Sequence, residues 1–286
     1  MDVRALLDLG RSRLHQVKIE YPGLEAEILL SHILKCDRIT FYAHPEKMVD
    51  KDQEIVYLKA VERRCQNEPI AYIIGQKEFM GMNFIVNSSV LIPRPDTETM
   101  VEYLIERLKS DYPKGAKVFD LCTGSGAIGI AIKSFYPQGD ITLGDISKDA
   151  LSVATANGKQ LVNGEITLVQ GDLFESLTED EKFDLIVSNP PYIRKVDMET
   201  LAPDILNYEP HLALDGGVSG LDFYECIVTK AKDYLLPAGI LALEIGDDQG
   251  DSVFELLVNN GYVAVKKHYD LSGHVRCLVG ELPEKL

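Results

Sequence analysis

The sequence predicts an α/β protein: an N-terminal helical bundle, a β-hairpin linker, and a doubly wound, mostly parallel sheet of seven strands. Three observations predict it. Apolar residues recur at helical spacing through the first 75 residues, with no strand-like alternation between them. Two short β-rich runs around a polar turn follow. From about residue 93, strand-like runs alternate with helix-like ones, the pattern of a sheet covered on both faces. The divisions implied are 1–75, 76–92 and 93–286.

The elements can be justified in order. Val3, Leu6, Leu7, Leu14 and Val17 form the first apolar stripe, and Leu24, Ile28, Leu29, Ile33 and Leu34 the second, after Pro22-Gly23. Ile55, Leu58, Val61 and Cys65 form a third, at steps of three and four. Phe84-Ile85-Val86 and Val90-Leu91-Ile92, flanking Asn87-Ser88-Ser89, are the expected hairpin strands. Strands are then expected at Val118-Phe119, Ile141–Leu143, Ile166–Val169, Phe183–Val187, Ile240–Ile245, Tyr262–Val265 and Val275–Val279. Helices are expected at Ile128–Phe135, from about Ser147, near Phe223–Leu235, and at Ser252–Val258. No helix is expected between the last two strands, so they should form an antiparallel pair at the sheet edge.

Charge narrows the function. The chain carries 29 Lys+Arg and 45 Asp+Glu, a net charge of -16. Phosphate contacts require basic residues that displace counterions, so the balance argues against direct nucleic-acid binding. It argues equally against an anionic membrane surface. The acidity is uneven. Residues 1–80 hold 12 basic and 13 acidic residues, and the remainder carries -15. Five cysteines without a CxxC pair fit free thiols in a reducing compartment, and no zinc site is expected. Six scattered histidines suggest neither a triad nor a metal site. The chain shows no signal peptide and no membrane-spanning run, so a cytoplasmic location is expected.

Asp120-Leu121-Cys122-Thr123-Gly124-Ser125-Gly126 joins the first strand of the sheet to a helix. Glycines let such a turn tighten and let a ligand approach its backbone. Gly124, Gly126 and Gly129 fit G-x-G-x-x-G, whereas the Gly-Lys-Ser/Thr of a Walker loop is absent. Asp145 ends the second strand, where a carboxylate can accept hydrogen bonds from both ribose hydroxyls. Loop and carboxylate together indicate a nucleoside-bearing cofactor, either NAD or S-adenosylmethionine. Asp172 and Leu173 follow the third strand, placed to read an adenine amine and to cover the ring.

Asn189-Pro190-Pro191-Tyr192 decides the chemistry. The tetrapeptide ends the fourth strand, on the side where open α/β sheets bind ligands. Two prolines stiffen the chain and remove two N–H donors. The side-chain oxygen of Asn189 and the carbonyl of Pro190 remain as acceptors for a planar –NH2 group, and Tyr192 offers a flat face beside it. An amide or aromatic amine is a weak nucleophile because its lone pair is delocalised. Fixed acceptors on its N–H groups favour the positive charge that grows as it attacks, the opposite sign to an oxyanion hole. No metal is needed.

With these motifs the sequence resembles the class I S-adenosylmethionine-dependent amino-methyltransferases. Further motifs resemble the HemK/PrmC family of protein-(glutamine-N5) methyltransferases. These are Pro69–Gly75, Leu91-Ile92-Pro93-Arg94-Pro95-Asp96-Thr97-Glu98, Tyr208-Glu209-Pro210 with Leu214, Gly216 and Gly217, and Leu243-Glu244-Ile245-Gly246. The resemblance covers nearly the whole chain. It implies methyl transfer to the glutamine of a Gly-Gly-Gln motif in class-1 peptide chain release factors, with the helical bundle recognising the protein substrate, and a monomer is expected. It also implies that Cys122, Thr123, Gly124, Ser125 and Gly126 line the methionine part of the cofactor, that Asp145 holds the ribose, and that Asp172 and Leu173 border the adenine. Asn189 would touch cofactor and substrate, with Pro190, Pro191 and Tyr192 holding the glutamine amide. Asn189, Pro190 and Tyr192 are the expected catalytic residues. Cys122 departs from the pattern, standing where many relatives have glycine. Arg94 and Glu98 belong to a family motif and are left with two readings each, structural ion pair or substrate contact. A ribosomal-protein glutamine, an adenine amine, or a cofactor-binding scaffold without catalysis are the competing readings.

Overall fold

The computed structural model describes residues 1–270 and 272–284, so Leu271, Lys285 and Leu286 of the predicted 93–286 domain lie outside the described residues. Two units are present. One comprises Met1–Gly75 with Ala202–Tyr208, the other Gln76–Leu201 with Glu209–Leu286.

The first unit is helical, as its apolar spacing predicts: α1 (Val3–Gln16), α2 (Pro22–Leu34), α3 (Ile39–Ala43), α4 (Lys51–Cys65) and α5 (Ile70–Ile74). Asp2 caps α1 by accepting the N–H of Ala5 at 2.8 Å, and Pro22 opens α2 at a position where a missing N–H costs nothing. Leu6, Leu14, Leu29, Leu30, Tyr57 and Val61 meet in its core. Arg64, buried, pairs with Glu25 at 2.5 Å.

The second unit begins with a hairpin, β1 (Gln76–Phe79) and β2 (Met82–Ile85). The hairpin lies inside 76–92, but the strands expected at Phe84–Val86 and Val90–Ile92 are corrected. The turn is Met80-Gly81, both residues at positive φ (52° and 71°). Two-residue turns of this hand match the twist of paired strands, and glycine reaches that φ without strain. Asn87 does form a turn, its Oδ1 accepting the N–H of Ser89 at 2.9 Å. The run after it is not a strand, and the Ile92 N–H donates to the Glu209 carboxylate at 3.2 Å.

The element order deduced from sequence names no helix at 95–111, where the structure has α6 (Pro95–Asp111). Then come β3 (Lys117–Leu121), α7 (Ala127–Phe135), β4 (Asp140–Asp145), α8 (Lys148–Leu161), β5 (Thr167–Gln170) and β6 (Phe183–Ser188). The chain continues through α9 (Pro203–Tyr208), α10 (Asp222–Lys230), β7 (Leu235–Glu244), α11 (Gly250–Asn259), β8 (Val263–Tyr269) and β9 (Val275–Glu281). The helix expected to reach Leu235 ends at Lys230, because Leu235 already pairs with Phe183 in the sheet. α9 is the part of 202–208 that belongs to the first unit, where the Tyr208 hydroxyl donates to the Gln66 carbonyl at 2.9 Å.

The seven strands lie in the order β5-β4-β3-β6-β7-β9-β8. β3 through β7 pair in parallel, while β9 runs antiparallel to both β7 and β8. The predicted α/β class, seven strands and antiparallel edge are all present. The period-2 alternation of strands assigns each residue a face. Val118, Leu185, Val187, Ile240, Ala242, Cys277 and Val279 pack with α6 and α7. Phe119, Leu121, Ile186, Leu241, Leu243 and Leu278 pack with α10 and α11. Strand order reverses between β3 and β6, which opens a crevice beyond their carboxyl ends.

Candidate active site

A cavity of about 300 Å³ occupies that crevice. Its walls include Cys122, Thr123, Gly124, Ser125, Asp145, Asp172, Leu173, Asn189 and Pro191. Nine of the twelve predicted site residues therefore share one cavity. Gly126, Pro190 and Tyr192 are not on its wall. Gly126 turns the loop into α7 at φ 81°, and Pro190 is buried. Tyr192 faces a neighbouring depression with Gly246, Gln249 and Arg276.

The glycine loop is built on alternate left-handed residues: Cys122 (φ 60°), Gly124 (56°) and Gly126 (81°). Gly129 serves another purpose. A Cβ there would lie 2.3 Å from a Leu143 methyl group, so the third glycine lets α7 close onto the sheet. Left-handed backbone costs a non-glycine residue about 1–2 kcal/mol, which explains glycine at position 122 in the pattern this chain departs from. Burial pushes the Cys122 thiol up to about 12, so it is a neutral wall group and no nucleophile. Cys122→Gly is expected to bind cofactor at least as tightly as the parent, as titration calorimetry can check.

Asp145 is tied down at both oxygens, accepting the N–H of Gly124 and that of Ser147, each at 2.9 Å. Each carboxylate oxygen has a second lone pair, so two acceptors remain for a diol. Burial raises the Asp145 pKa, and backbone N–H groups, Gly124 and Ser147 among them, oppose the rise.

Two buried carboxyls, quoted in sequence motifs, were given no role there. Asp120 lies beneath the loop, accepting from the Thr123 hydroxyl at 2.5 Å and the Gly129 N–H at 2.9 Å. Its Oδ1 has no hydrogen-bond partner, and burial pushes its pKa up to about 7. Glu244 ends β7 and is 1% exposed. An acidic residue inside an apolar strand was the available signal for both. Phe79, Leu91, Pro93, Ile146, Leu212 and Phe223 add apolar wall that no sequence spacing announced.

The remaining motifs acquire structural roles. Arg94 pairs with Glu209 at 2.5 Å and also lines the cavity. The Glu98 carboxylate accepts the Met80 N–H at 2.7 Å, holding the hairpin turn. Gly216 lies against the tetrapeptide: a Cβ there would sit 2.6 Å from the Tyr192 Cα. The Gly216 N–H donates to the Ile193 carbonyl at 2.8 Å, and the Gln249 amide donates to the Tyr192 carbonyl at 2.9 Å. The strand end is thus strapped from two sides. Arg94→Ala removes the charge paired with a buried carboxylate. A loss of about 1–3 kcal/mol is expected in thermal melts, below the figure for a fully buried pair because Arg94 is a third exposed.

Comparison with known proteins assigns the family. The model described as PrmC N-terminal domain matches residues 5–75, and that of the methyltransferase small domain matches 94–218. The release factor glutamine methyltransferase of Clostridium acetobutylicum is 39% identical over 95% of both chains. That of Geobacter sulfurreducens is 39% identical over 98% of this chain and 96% of its own. A methyltransferase from Pyrococcus furiosus shares the fold, with a TM-score of 0.53 at 20% identity over 82% of this chain and all of that one. Near full-length similarity at this level, on a fold whose crevice gathers the glycine loop, Asp145 and Asn189, makes the chain a member of the release factor glutamine methyltransferase family.

Proposed function

We propose that this protein transfers a methyl group from S-adenosylmethionine to the side-chain amide nitrogen of the glutamine in the Gly-Gly-Gln motif of class-1 peptide chain release factors. The observation that carries the reading is Asn189 on the same cavity wall as Asp145 and the glycine loop. An acceptor for an –NH2 group and a holder for a nucleoside then face one space.

The residues suit that cofactor. Asp145 has one free acceptor site per oxygen for a ribose diol, Asp172 and Leu173 flank the purine position, and the acidic lining favours a cation. When bound, the cofactor supplies an electrophilic methyl on a sulfonium. This chain's residues do the rest. Asn189 Oδ1 and the Pro190 carbonyl accept the two N–H groups of the glutamine amide and hold its nitrogen in line with the methyl. Pro191, on the cavity wall, stiffens the support, and Tyr192, turned to the neighbouring depression, anchors the end of the tetrapeptide through its carbonyl bond to Gln249. A C–N bond would form as the methyl–sulfur bond breaks, leaving a neutral thioether, and the nitrogen would release one proton to solvent water. The helical N-terminal unit recognises the folded substrate protein, and the enzyme acts as a cytoplasmic monomer. No helix among the described residues is long and apolar enough to cross a membrane.

Mass spectrometry of purified release factor after incubation with enzyme and cofactor tests the reading. One added methyl on the Gly-Gly-Gln peptide is expected. An unmodified peptide, with methyl found on a ribosomal protein or an adenine instead, would reassign the substrate.

A further inference from the structure

Glu244 is a buried carboxyl that the mechanism above does not use. Its place follows from register. β6 and β7 run parallel with Ser188 opposite Leu243, which sets the next residues, Asn189 and Glu244, side by side at the carboxyl ends of the strands. Alternation puts both on the α6 face, after Leu185 and Val187 on one strand and Ile240 and Ala242 on the other. Asn189 and the buried Glu244 carboxyl are thus neighbours across the two strand ends, with Asn189 lining the cavity. Thr97, at the start of α6, and Arg276, on β9, face the same carboxyl. Its Oε2 has no hydrogen-bond partner.

An asparagine amide fits its socket almost equally well either way round, because its oxygen and nitrogen are nearly the same size. Only one orientation serves the reaction. With Oδ1 toward the cavity, Asn189 accepts from the substrate amide; with Nδ2 toward it, donor meets donor. An ionised carboxylate accepts and cannot donate. We propose that Glu244 is a positioning residue: its carboxylate takes an Nδ2–H of Asn189 and so turns Oδ1 of Asn189 toward the substrate amide. The inference rests on the acceptor role of Asn189 proposed above.

The role has a pH signature. Burial pushes the Glu244 pKa up to about 7, against the lowering by Thr97, Arg276 and Asn189. Arg276 is itself paired with Asp96, Asp247 and Asp270, at 3.2, 2.7 and 3.0 Å. Cys277 lies opposite Glu244 on β9, and the Tyr224 hydroxyl donates to the Glu244 carbonyl at 2.9 Å. Burial raises the pKa values of Cys277, Tyr224 and nearby Tyr192, so these groups stay neutral around pH 7. The accepting form of Glu244 exists above its pKa and is lost as pH falls through it. A protonated carboxyl can donate to Oδ1 of Asn189, and the orientation is then no longer imposed. Asp120 also titrates near 7, so the profile of a Glu244 variant assigns the effect.

The test is steady-state methylation of release factor by two variants. Glu244→Leu cannot accept; its kcat should fall about 10-fold or more, with cofactor Kd and release-factor KM within about threefold of the parent. Glu244→Gln, like the protonated carboxyl, can donate as well as accept; its kcat at about pH 8 should lie between those of Glu244→Leu and the parent, with a smaller loss of rate between about pH 8 and 6. A Glu244→Leu kcat within about twofold of the parent would overturn the proposal. So would a Glu244→Gln profile superimposable on the parent's, and this near-isosteric variant decides if the leucine variant does not fold. Failure of the underlying reading looks different: Asn189→Ala would then turn over normally.

Discussion

Asn189→Ala is expected to lower kcat by about 100- to 1000-fold, the cost of removing one preorganised polar partner of a developing charge. Cofactor affinity should stay within about threefold, since the glycine loop and Asp145 are the residues proposed to hold the cofactor. The size follows from what the substrate nitrogen needs. Its lone pair is conjugated with the amide carbonyl, and attack requires that conjugation to be given up. An oxygen fixed against its N–H becomes a stronger partner as positive charge grows, so the contact favours the transition state over the bound amide. Strapping by Gly216 and Gln249 keeps the backbone in place when the side chain is truncated. The measurement is single-turnover methylation with saturating cofactor, alongside calorimetric cofactor binding. A variant that turned over within a few-fold of the parent would remove Asn189 from the chemistry.

Asp145→Ala should act on the other substrate. Two hydrogen bonds to a charged acceptor are worth about 1.5–3 kcal/mol each, so cofactor Kd is expected to rise roughly 100-fold or more. The same change releases the Gly124 and Ser147 N–H groups from the carboxylate. Asp145→Asn separates the two effects. It keeps the shape and one acceptor oxygen, so a smaller rise is expected. Calorimetry with S-adenosylmethionine reads both variants, and an unchanged Kd in Asp145→Ala would move the ribose elsewhere in the cavity.

Much of the site was legible in the sequence because each part is local. Gly124 and Gly126 sit in a strand-to-helix turn, Asp145 ends a strand, and Asn189–Tyr192 is contiguous. The less legible parts are set by distance in the chain. Phe84 does lie in a strand and Val90 does not: Met80-Gly81 makes the turn because Gly81 tolerates positive φ and Glu98 takes the Met80 N–H. The apolar spacing of Met100, Val101, Leu104, Ile105 and Leu108 marks α6, a helix absent from the element order expected of the sequence. Arg94 and Glu209 lie 115 residues apart, and no spacing rule connects them.

By itself the sequence determined the α/β class, the order of the sheet elements and the methyl-transfer chemistry, and it supplied the residues proposed to carry that chemistry. These depend on periodicity, turn chemistry and contiguous motifs, all of which act over a few residues. Apart from the antiparallel edge pair β8 and β9, tertiary structure alone decided which strands became neighbours, and it set every register. That decision places Glu244 beside Asn189, sets Asp120 beneath the glycine loop, and turns Tyr192 toward a separate depression. Strand pairing joins residues across any length of chain, and the face a side chain takes follows from its register. A carboxyl that interrupts an apolar strand thus becomes, once folded, a neighbour of the residue proposed to grip the substrate.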